Sequence, residues 1–359
     1  MRSILLTATS EGCGKTGIAL GLALAATDRG YAVSYMKPKG TRLQSHEGRV
    51  LDTDPLLARD LLGLDADIDD MEPVVYSPTF VDQAIRDTLP RDDLTGLLRE
   101  RFETLADDRD LVVLEGGGSY TTGGVVELTD ADVAAALDAD VVLVAPFADP
   151  ADIDGVLAAA ADLGDRLAGV LFNPVPDAQF DYVEEAVVPF LESRGVPVVG
   201  ILPRVKALAG VPVAELADHL NATVLTDTAP TERTVERFLV GAMSGESALR
   251  YFRRTRDAAV ITGGDRSDLL SVALEAGGVT CVILTGGHPP ADALVSKAQR
   301  RDVPLLLVQA DTLTTVERGE ELVRSGRVRD AGTVQTVRDL LADHADLDAL
   351  VGPGAQTGE

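Results

Sequence analysis

The sequence predicts a doubly wound, mainly parallel α/β domain followed by a smaller α/β domain. Near-continuous runs of Val, Leu and Ile recur along the chain, helical patterns separate them, and a glycine-rich loop follows the first run. Continuous apolar runs, unlike alternating ones, are typical of strands buried on both faces of a parallel sheet. Their alternation with helices predicts helices packed on both faces of that sheet.

The first part of the chain contains the larger predicted sheet. Apolar runs bounded by Gly and Pro predict strands at 4–8, 32–36, 111–114, 141–146, 167–172 and 197–202. Helical patterns lie at 16–28, 55–62, 92–105, 151–163 and 182–193. Because ligands of such sheets bind beyond the carboxyl ends of the strands, the residues after each strand are the candidates for a site.

The rest of the chain predicts a second unit and a C-terminal segment. A helical pattern covers 211–220, strand-like runs follow at 258–261, 280–284 and 303–308, and an acidic helix lies near 333–344. The sequence therefore divides into domains at 1–208 and 209–328, with an acidic helix and flexible tail at 329–359.

Composition narrows the class of protein. Hydrophobic residues make up 45% of the chain, which is ample for buried cores, and aromatic residues only 4%. The net charge of −26 argues against a nucleic-acid partner or an anionic membrane surface. Concentrated salt screens such a charge, so the excess of acidic residues indicates a protein from a salt-rich, halophilic cytoplasm. An ordinary acidic enzyme is the alternative.

No targeting or redox framework is expected. No apolar run is long enough to span a bilayer, and no signal peptide precedes the first strand, so we expect a cytoplasmic protein. The two cysteines, Cys13 and Cys281, give neither a disulfide framework nor a zinc spacing.

The first loop has the pattern of a phosphate-binding loop with one change. The usual pattern is Gly, four residues, then Gly-Lys-Ser/Thr, and Thr9 stands here at the first Gly position. Backbone N–H groups at a helix start bind phosphate, Lys15 would reach the β- and γ-phosphates, and the Thr16 hydroxyl would bind Mg²⁺. A glycine-rich turn with an incidental lysine is the alternative. The predicted nucleotide-binding residues of the loop are Ser10, Glu11, Gly12, Cys13, Gly14, Lys15 and Thr16.

Charged residues follow the next two predicted strands. Lys37 would face the same crevice as Lys15, with a solvated loop lysine as the alternative. Glu115 ends an apolar strand before three glycines and is the expected Mg²⁺ partner. Asp54 opens a helix, where capping by Asp52 or Asp54 is the alternative to a metal role.

Later strands offer a base pocket and a second site. Asn173 presents a donor and an acceptor that suit an adenine edge, and Pro203 with Arg204 is a candidate wall for the base. In the second unit, two similar glycine-containing turns follow strands. They are either simple connections between a strand and a helix, or they form a pocket for an anion or a nucleotide. The residues of this second possible ligand site are Gly263, Gly264, Asp265, Arg266, Gly286 and Gly287.

The first set of motifs resembles dethiobiotin synthetase. The residues that carry the resemblance, in order, are the loop without its first Gly, Lys37-Pro38, Asp54, Glu115-Gly116, Asn173 and Pro203. It implies ATP and Mg²⁺ as cofactors, with phosphate and metal positions at Lys15, Thr16, Asp54 and Glu115. It also implies an adenine position at Asn173 and a catalytic position at Lys37, beside the substrate amine. The family's Ser-Pro-His segment, which shapes the substrate pocket across a dimer, reads Ser77-Pro78-Thr79 here and lacks the His.

The second set of motifs resembles the DRTGG domain. It comprises 241–244, the two glycine turns, and Asp311-Thr312. A dethiobiotin synthetase-like domain followed by a DRTGG domain resembles the N-terminal, regulatory region of long phosphotransacetylases. We expect the catalytic domain of those proteins to be absent from this chain.

Two functions follow from these resemblances. The first is an ATP·Mg²⁺-binding regulatory or sensor protein, a homo-oligomer linked to an enzyme of acetate and acetyl-CoA metabolism. The second is an ATP-dependent carboxylase or ligase that acts on an unknown amine or carboxylate. A partition ATPase would need a lysine early in the loop, which 10–12 lacks, and a cobyrinate-type amidotransferase would need a Cys–His domain.

Overall fold

A computed structural model of the chain describes residues 1–46, 48–89, 93–205, 208, 210–226, 228–241, 245–324 and 331–353. They form two compact units, Met1–Arg204 with Val328–Glu359, and Val205–Arg327. The domain boundary predicted at 209, the motif residues 242–244 and the tail residues 354–359 lie outside the described residues.

The first unit is built on a six-stranded sheet in the order β10-β9-β8-β1-β7-β2, in which neighbouring strands pair in parallel. From β1 the chain crosses to β2 and returns through β7 on one side of β1, and it then continues to β8 on the other side. The crevice at the carboxyl end of β1 is therefore a topological switch point. The strands of this unit are β1 Arg2–Ala8, β2 Val33–Met36, β3 Lys39–Gly40, β4 Leu43–His46, β5 Arg49–Asp52, β6 Val74–Val75, β7 Leu111–Glu115, β8 Asp140–Ala145, β9 Leu167–Val175 and β10 Val198–Pro203.

These strands confirm the predicted fold class. All six predicted strands are present, with ends displaced by three residues at most. The short pairs β3–β6 and β4–β5 were not predicted, because two- to four-residue strands carry too little periodicity to stand out.

Helices cover the sheet. Among the residues that the structure describes, no helix of either unit is both long enough and apolar enough to cross a bilayer. The α-helices are Lys15–Asp28, Asp54–Leu62, Ile68–Met71, Pro78–Ile85, Leu94–Ala106, Asp130–Leu137, Asp152–Leu163, Asp177–Tyr182, Val188–Glu192, Ala331–His344 and Leu347–Val351. Shorter 3₁₀ or π segments are Gly124–Val126, Gly164–Arg166 and Val183–Val187.

The helix Ala331–His344 packs on the first helix, Lys15–Asp28, and so belongs to the first unit. At Gly21 an added Cβ would lie 3.1 Å from Val337 Cγ1 and 3.2 Å from Leu341 Cδ1, so a larger residue would require the neighbouring side chains to move. The sequence set 329–359 apart as a segment of its own, whereas in the structure its helix packs within the first unit. The acidic composition of the segment conceals an apolar face that is buried on folding.

The second unit has a five-stranded sheet in the order β12-β17-β16-β15-β14. All neighbours are parallel except β12, which is antiparallel to β17. Its strands are β11 Val211–Pro212, β12 Thr223–Val224, β13 Thr234–Val235, β14 Arg237–Val240, β15 Ala258–Gly263, β16 Val279–Thr285 and β17 Leu305–Leu307. Its helices are Val213–His219, Gly245–Phe252, Ser267–Ala273, Asp292–Arg300 and Thr312–Arg324.

Successive residues of β15 alternate between two hydrophobic clusters. Ala258 and Val260 belong to one cluster, and Ala259 and Ile261 to the other. Because successive side chains of a strand point to opposite faces, the sheet is buried on both sides. The apolar run predicted there is therefore continuous.

Candidate functional site

The phosphate loop lies between β1 and the first helix. Gly12 and Gly14 have φ of 75° and 83°, a region that favours glycine. The Asn173 amide, at the end of β9, donates from Nδ2 to Cys13 O at 2.8 Å. An added Cβ at Gly14 would lie 2.7 Å from that nitrogen, so the glycine makes room for the bond. Asn173 therefore fixes the loop backbone, a role that the sequence did not suggest.

Lys15 begins the first helix and is buried. Its Nζ donates to Gly118 O in the glycine-rich turn after β7. The lysine predicted to bind phosphate thus lies between the phosphate loop and the turn that follows Glu115.

The three predicted metal ligands meet at the next residue of the helix. Thr16 Oγ1 lies 2.6 Å from Glu115 Oε1 and 3.1 Å from Asp54 Oδ2, and all three residues are buried. Tyr35 also donates its hydroxyl to Glu115 Oε2 at 2.6 Å. Parallel strands bring these residues together because their carboxyl ends share one edge of the sheet.

Lys37 lies among the carboxylates. Its Nζ is 2.8 Å from Asp52 Oδ2, contacts Asp54 Oδ2, and is 3.4 Å from Glu115 Oε1. Burial alone lowers the pKa of Lys37, but the charges of Glu115, Asp54 and Asp52 outweigh it and raise that pKa above the ordinary lysine value. Lys37 is therefore a buried cation, not the solvated loop lysine of the alternative hypothesis. The catalytic role expected for it stays a prediction.

The two carboxylates respond to this cation differently. Burial raises the pKa of Asp54, but the charge of Lys37 outweighs it and the net pKa is lowered. Burial dominates at Glu115 and raises its pKa despite Lys37. Asp54 is thus the more firmly ionised of the two.

Asp52 organises this cluster, although the sequence indicated only a possible helix cap. Its Oδ2 accepts from the N–H groups of Thr41 at 3.2 Å and Arg42 at 2.9 Å, and its Oδ1 accepts from Asp54 N at 3.0 Å. Asp52 is fully buried and fixes the backbone that carries Asp54. The Asp-Thr-Asp spacing is the one local signal that could have revealed it.

Glu72 is a second acid that the sequence did not reveal. Its Oε2 accepts from Asp52 N at 2.9 Å, whereas its buried Oε1 has no hydrogen-bond partner among the residues that the structure describes. An added Cβ at Gly40 would lie 1.6 Å from that Oε1, so a larger residue there would displace the Glu72 carboxyl group. Burial raises the pKa of Glu72 from 4.5 to about 7.

The raised pKa of Glu72 predicts a loss of stability as the pH rises from 4.5 to about 7. Between pH 4.5 and about 7 the folded state holds a proton that the unfolded state has lost, so the free energy of unfolding falls as pH rises. Above that range the ionised carboxylate costs about 3 kcal/mol. We expect Glu72→Gln to be more stable than the unsubstituted protein at pH 8 and similar to it at pH 4.5.

Urea unfolding across that pH range measures the difference. The exposed Glu100→Gln, on the helix Leu94–Ala106, is the matched control and should show no such pH dependence. Equal stability of Glu72→Gln and the unsubstituted protein at both pH values would contradict the assignment.

The donor set suits Mg²⁺. The site provides hydroxyl and carboxylate oxygens, the ligand type that Mg²⁺ prefers, from Thr16, Asp54 and Glu115. The buried carboxyl groups of the cluster are more numerous than its one buried cation, Lys37. No group of three or more His, Cys, Asp and Glu side chains in the described ranges is arranged to hold a metal on its own. A Mg²⁺ site needs no such cage, because it commonly uses one or two carboxylates together with substrate phosphates.

A separate buried ion pair supports the turn after β7. Lys39 Nζ donates to Asp130 Oδ1 at 2.9 Å, to Leu128 O at 2.5 Å and to Thr122 O at 2.8 Å. Asp130 in turn accepts from Thr7 Oγ1 on β1 at 2.5 Å. Lys39 therefore has a structural role, and a separation of 91 residues from Asp130 hides it from sequence reasoning.

A cavity of about 440 Å³ opens beside the phosphate loop. Glu11 of the loop and Asp82 contribute carboxylates, and the other walls are apolar or hydroxyl-bearing. The remaining lining residues are Thr41, Tyr76, Pro78, Val81, Ile85 and Thr122.

The predicted base residues end neighbouring strands. Asn173 lies near the end of β9 and Pro203 ends β10, which pairs with β9 in parallel. The bond to the loop uses one of the two N–H groups of Asn173 Nδ2, so the second N–H and the amide oxygen are the groups that would face a base. The adenine role of both residues stays a prediction.

The candidate residues of the second unit also come together. Gly263 on β15 pairs with Thr285 on β16, which places the two glycine turns side by side. Protein atoms fill the space at both turns: an added Cβ would lie 1.8 Å from His288 O at Gly264 and 2.3 Å from Gln309 Oε1 at Gly287.

Arg266 of the same site also has a protein partner. Arg266 Nη2 bonds to Asp268 Oδ2 at 3.0 Å, and this bond lowers the pKa of Asp268 to about 2. These contacts favour tight packing as the reason for the glycines. A ligand role for Gly263, Gly264, Asp265, Arg266, Gly286 and Gly287 stays a prediction.

The parallel sheet, the loop after β1, and Lys15 and Thr16 at the start of the first helix define a P-loop protein of the nucleotide-binding class. A family profile described as an AAA domain matches residues 2–211, and one described as a DRTGG domain matches residues 215–322. The chain belongs to this AAA domain family and carries a DRTGG domain after it. The resemblance to dethiobiotin synthetase and to the N-terminal region of phosphotransacetylase is thereby confirmed.

Two curated relatives agree with this assignment. The phosphate acetyltransferase of Haemophilus influenzae is 24% identical over 387 aligned residues, which cover 97% of this chain and 52% of the relative. The dethiobiotin synthetase of Frankia casuarinae is 34% identical over 213 residues, which cover 56% of this chain and 84% of the relative. The chain thus spans about half the length of the phosphate acetyltransferase it matches.

One solved structure has a related domain composition. It contains the CBS and DRTGG domains of the regulatory region of Clostridium perfringens pyrophosphatase, complexed with the activator diadenosine tetraphosphate. The identity is 17%, the match covers 43% of this chain and 71% of that chain, and the TM-score is 0.27.

Proposed function

We propose that the chain binds ATP with Mg²⁺ in its first unit and acts as a regulatory or sensor module. The observation that supports the proposal is the convergence of Lys15, Thr16, Asp54 and Glu115 at one edge of the parallel sheet. Lys15 would hold the terminal phosphates, and the other three residues would hold the metal, which neutralises phosphate charge.

The surroundings of Lys37 favour regulation over catalysis. A catalytic lysine beside a substrate amine needs to reach that substrate, whereas Lys37 is 2% exposed and has three carboxylate partners. The names of the phosphate acetyltransferase relatives support a link to acetyl transfer. We further propose that the chain self-associates through 209–328 and contacts an enzyme of acetate or acetyl-CoA metabolism. We place it in a salt-rich cytoplasm.

A second candidate function is an ATP-dependent carboxylase or ligase. The cavity between Glu11 and Asp82 favours it, because two carboxylates beside a phosphate loop suit an amine substrate. Electrostatic positioning at the loop would supply most of the catalysis.

One experiment on the full chain, in concentrated KCl, tests the proposal and separates the two functions. We expect calorimetry to show Mg²⁺-dependent ATP binding. We expect the rate of ADP release to stay far below ~1 s⁻¹, the lower end of typical enzyme turnover numbers. The mixture is then supplemented with bicarbonate and a panel of amines or carboxylates. Steady ADP release that depends on one of these compounds would refute the regulatory function and support the ligase, and absence of ATP binding would refute both.

A further inference from the structure

Lys37 contacts the same oxygen atoms that the proposed metal site offers. Its Nζ contacts Asp54 Oδ2 and lies 3.4 Å from Glu115 Oε1. Those two atoms are also the neighbours of Thr16 Oγ1, at 3.1 Å and 2.6 Å. A cation of the chain itself therefore already neutralises the oxygens that a metal would use.

Lys37 also has a partner that Thr16 does not share. Asp52 Oδ2 lies 2.8 Å from its Nζ, and the fully buried Asp52 is fixed by the backbone N–H groups of Arg42 and Asp54. Asp52 can therefore keep Lys37 paired when another cation takes Asp54 and Glu115. This matters because an unpaired buried charge is strongly destabilising.

We propose that Lys37 is a tethered cation that competes with Mg²⁺ for Asp54 and Glu115, and that Asp52 retains it when the metal binds. The inference rests on the proposed function, since it needs a metal site at Thr16, Asp54 and Glu115. Two cations repel strongly in a buried setting, so free metal binds poorly against Lys37. Nucleotide phosphates add ligands of their own, which favours loading of the metal together with ATP.

The test is the binding of Mn²⁺ alone, measured by the EPR signal of free Mn²⁺ in the absence of nucleotide. We expect Lys37→Met to bind Mn²⁺ at least about tenfold more tightly than the unsubstituted protein, because its carboxylates have lost their internal cation. Lys297→Met is the matched control. It also removes one lysine, but one whose Nζ bonds to Glu275, and it should leave Mn²⁺ affinity unchanged.

Circular dichroism with and without Mn²⁺ accompanies the binding measurement. A Lys37→Met protein that folds only when Mn²⁺ is present would support the proposal, since the metal then replaces the lysine. Unchanged or weaker Mn²⁺ binding by a folded variant would overturn it, and so would a variant that stays unfolded in Mn²⁺.

Binding of Mn²⁺ together with ATP separates this inference from the proposed function. If the unsubstituted protein binds Mn²⁺·ATP while Lys37→Met gains no affinity for free Mn²⁺, only the competition is refuted. If the unsubstituted protein binds neither Mn²⁺ nor Mn²⁺·ATP, the proposed function itself fails.

Discussion

Lys15→Ala is expected to weaken Mg²⁺·ATP binding at least about 100-fold, which corresponds to about 2.7 kcal/mol. Lys15 starts the first helix beside the two positive-φ glycines of the phosphate loop. The other lysines near the loop cannot replace it, because Lys37 is paired with carboxylates and Lys39 with Asp130. Isothermal titration calorimetry with ATP and Mg²⁺ measures the loss.

The fold should survive this substitution, since within the described ranges the Lys15 side chain makes a single bond, to Gly118 O. Thermal unfolding of Lys15→Ala checks that expectation. Lys297→Ala removes the same charge from the second unit and should retain full ATP affinity. An unchanged ATP affinity in Lys15→Ala would show that the loop has only a structural role.

Lys39→Met is expected to lower the free energy of unfolding by about 3–5 kcal/mol, because it leaves the charge of Asp130 buried without its cation. The substitution also removes the donor for the carbonyls of Thr122 and Leu128. The double variant Lys39→Met/Asp130→Asn removes both charges and should recover part of the loss. Guanidinium unfolding of the single and double variants measures the coupling.

The surface pair between Arg86 and Asp82 is the control for that experiment. Both side chains are more than half exposed, at 68% and 58%. They pair four residues apart, with Asp82 on the helix Pro78–Ile85 and Arg86 directly after its end. Arg86→Met should therefore leave stability within experimental error. Equal losses in Arg86→Met and Lys39→Met would contradict the structural role of the buried pair.

Local sequence patterns are sufficient to predict the phosphate loop and the position of Glu115. The loop 9–16 is one contiguous motif, and Glu115 ends an apolar strand, so topology alone places both at the same sheet edge. The structure places Asp54 and Glu115 within hydrogen-bond distance of Thr16, as that reasoning expects.

Other parts of the site carry no local signal. The bond between Asn173 and the loop joins residues 160 positions apart, and Glu72 follows a four-residue helix with no motif around it. The sequence shows an acidic helix near the C-terminal end, and nothing local indicates that Val334, Val337 and Leu341 are buried where the helix Ala331–His344 meets the first helix. Each of these features depends on which segments meet, and composition does not specify that.

The sequence by itself determined the parallel α/β class, the order of the two domains and the identity of the loop, because continuous apolar runs and a glycine-lysine motif are local properties. Only the tertiary structure decided the state of Lys37. From the sequence, Lys37 is expected to face the same crevice as Lys15, with a solvated loop lysine as the alternative. Burial among Asp52, Asp54 and Glu115 makes it a paired cation, because a charge removed from water requires opposite charges at close range.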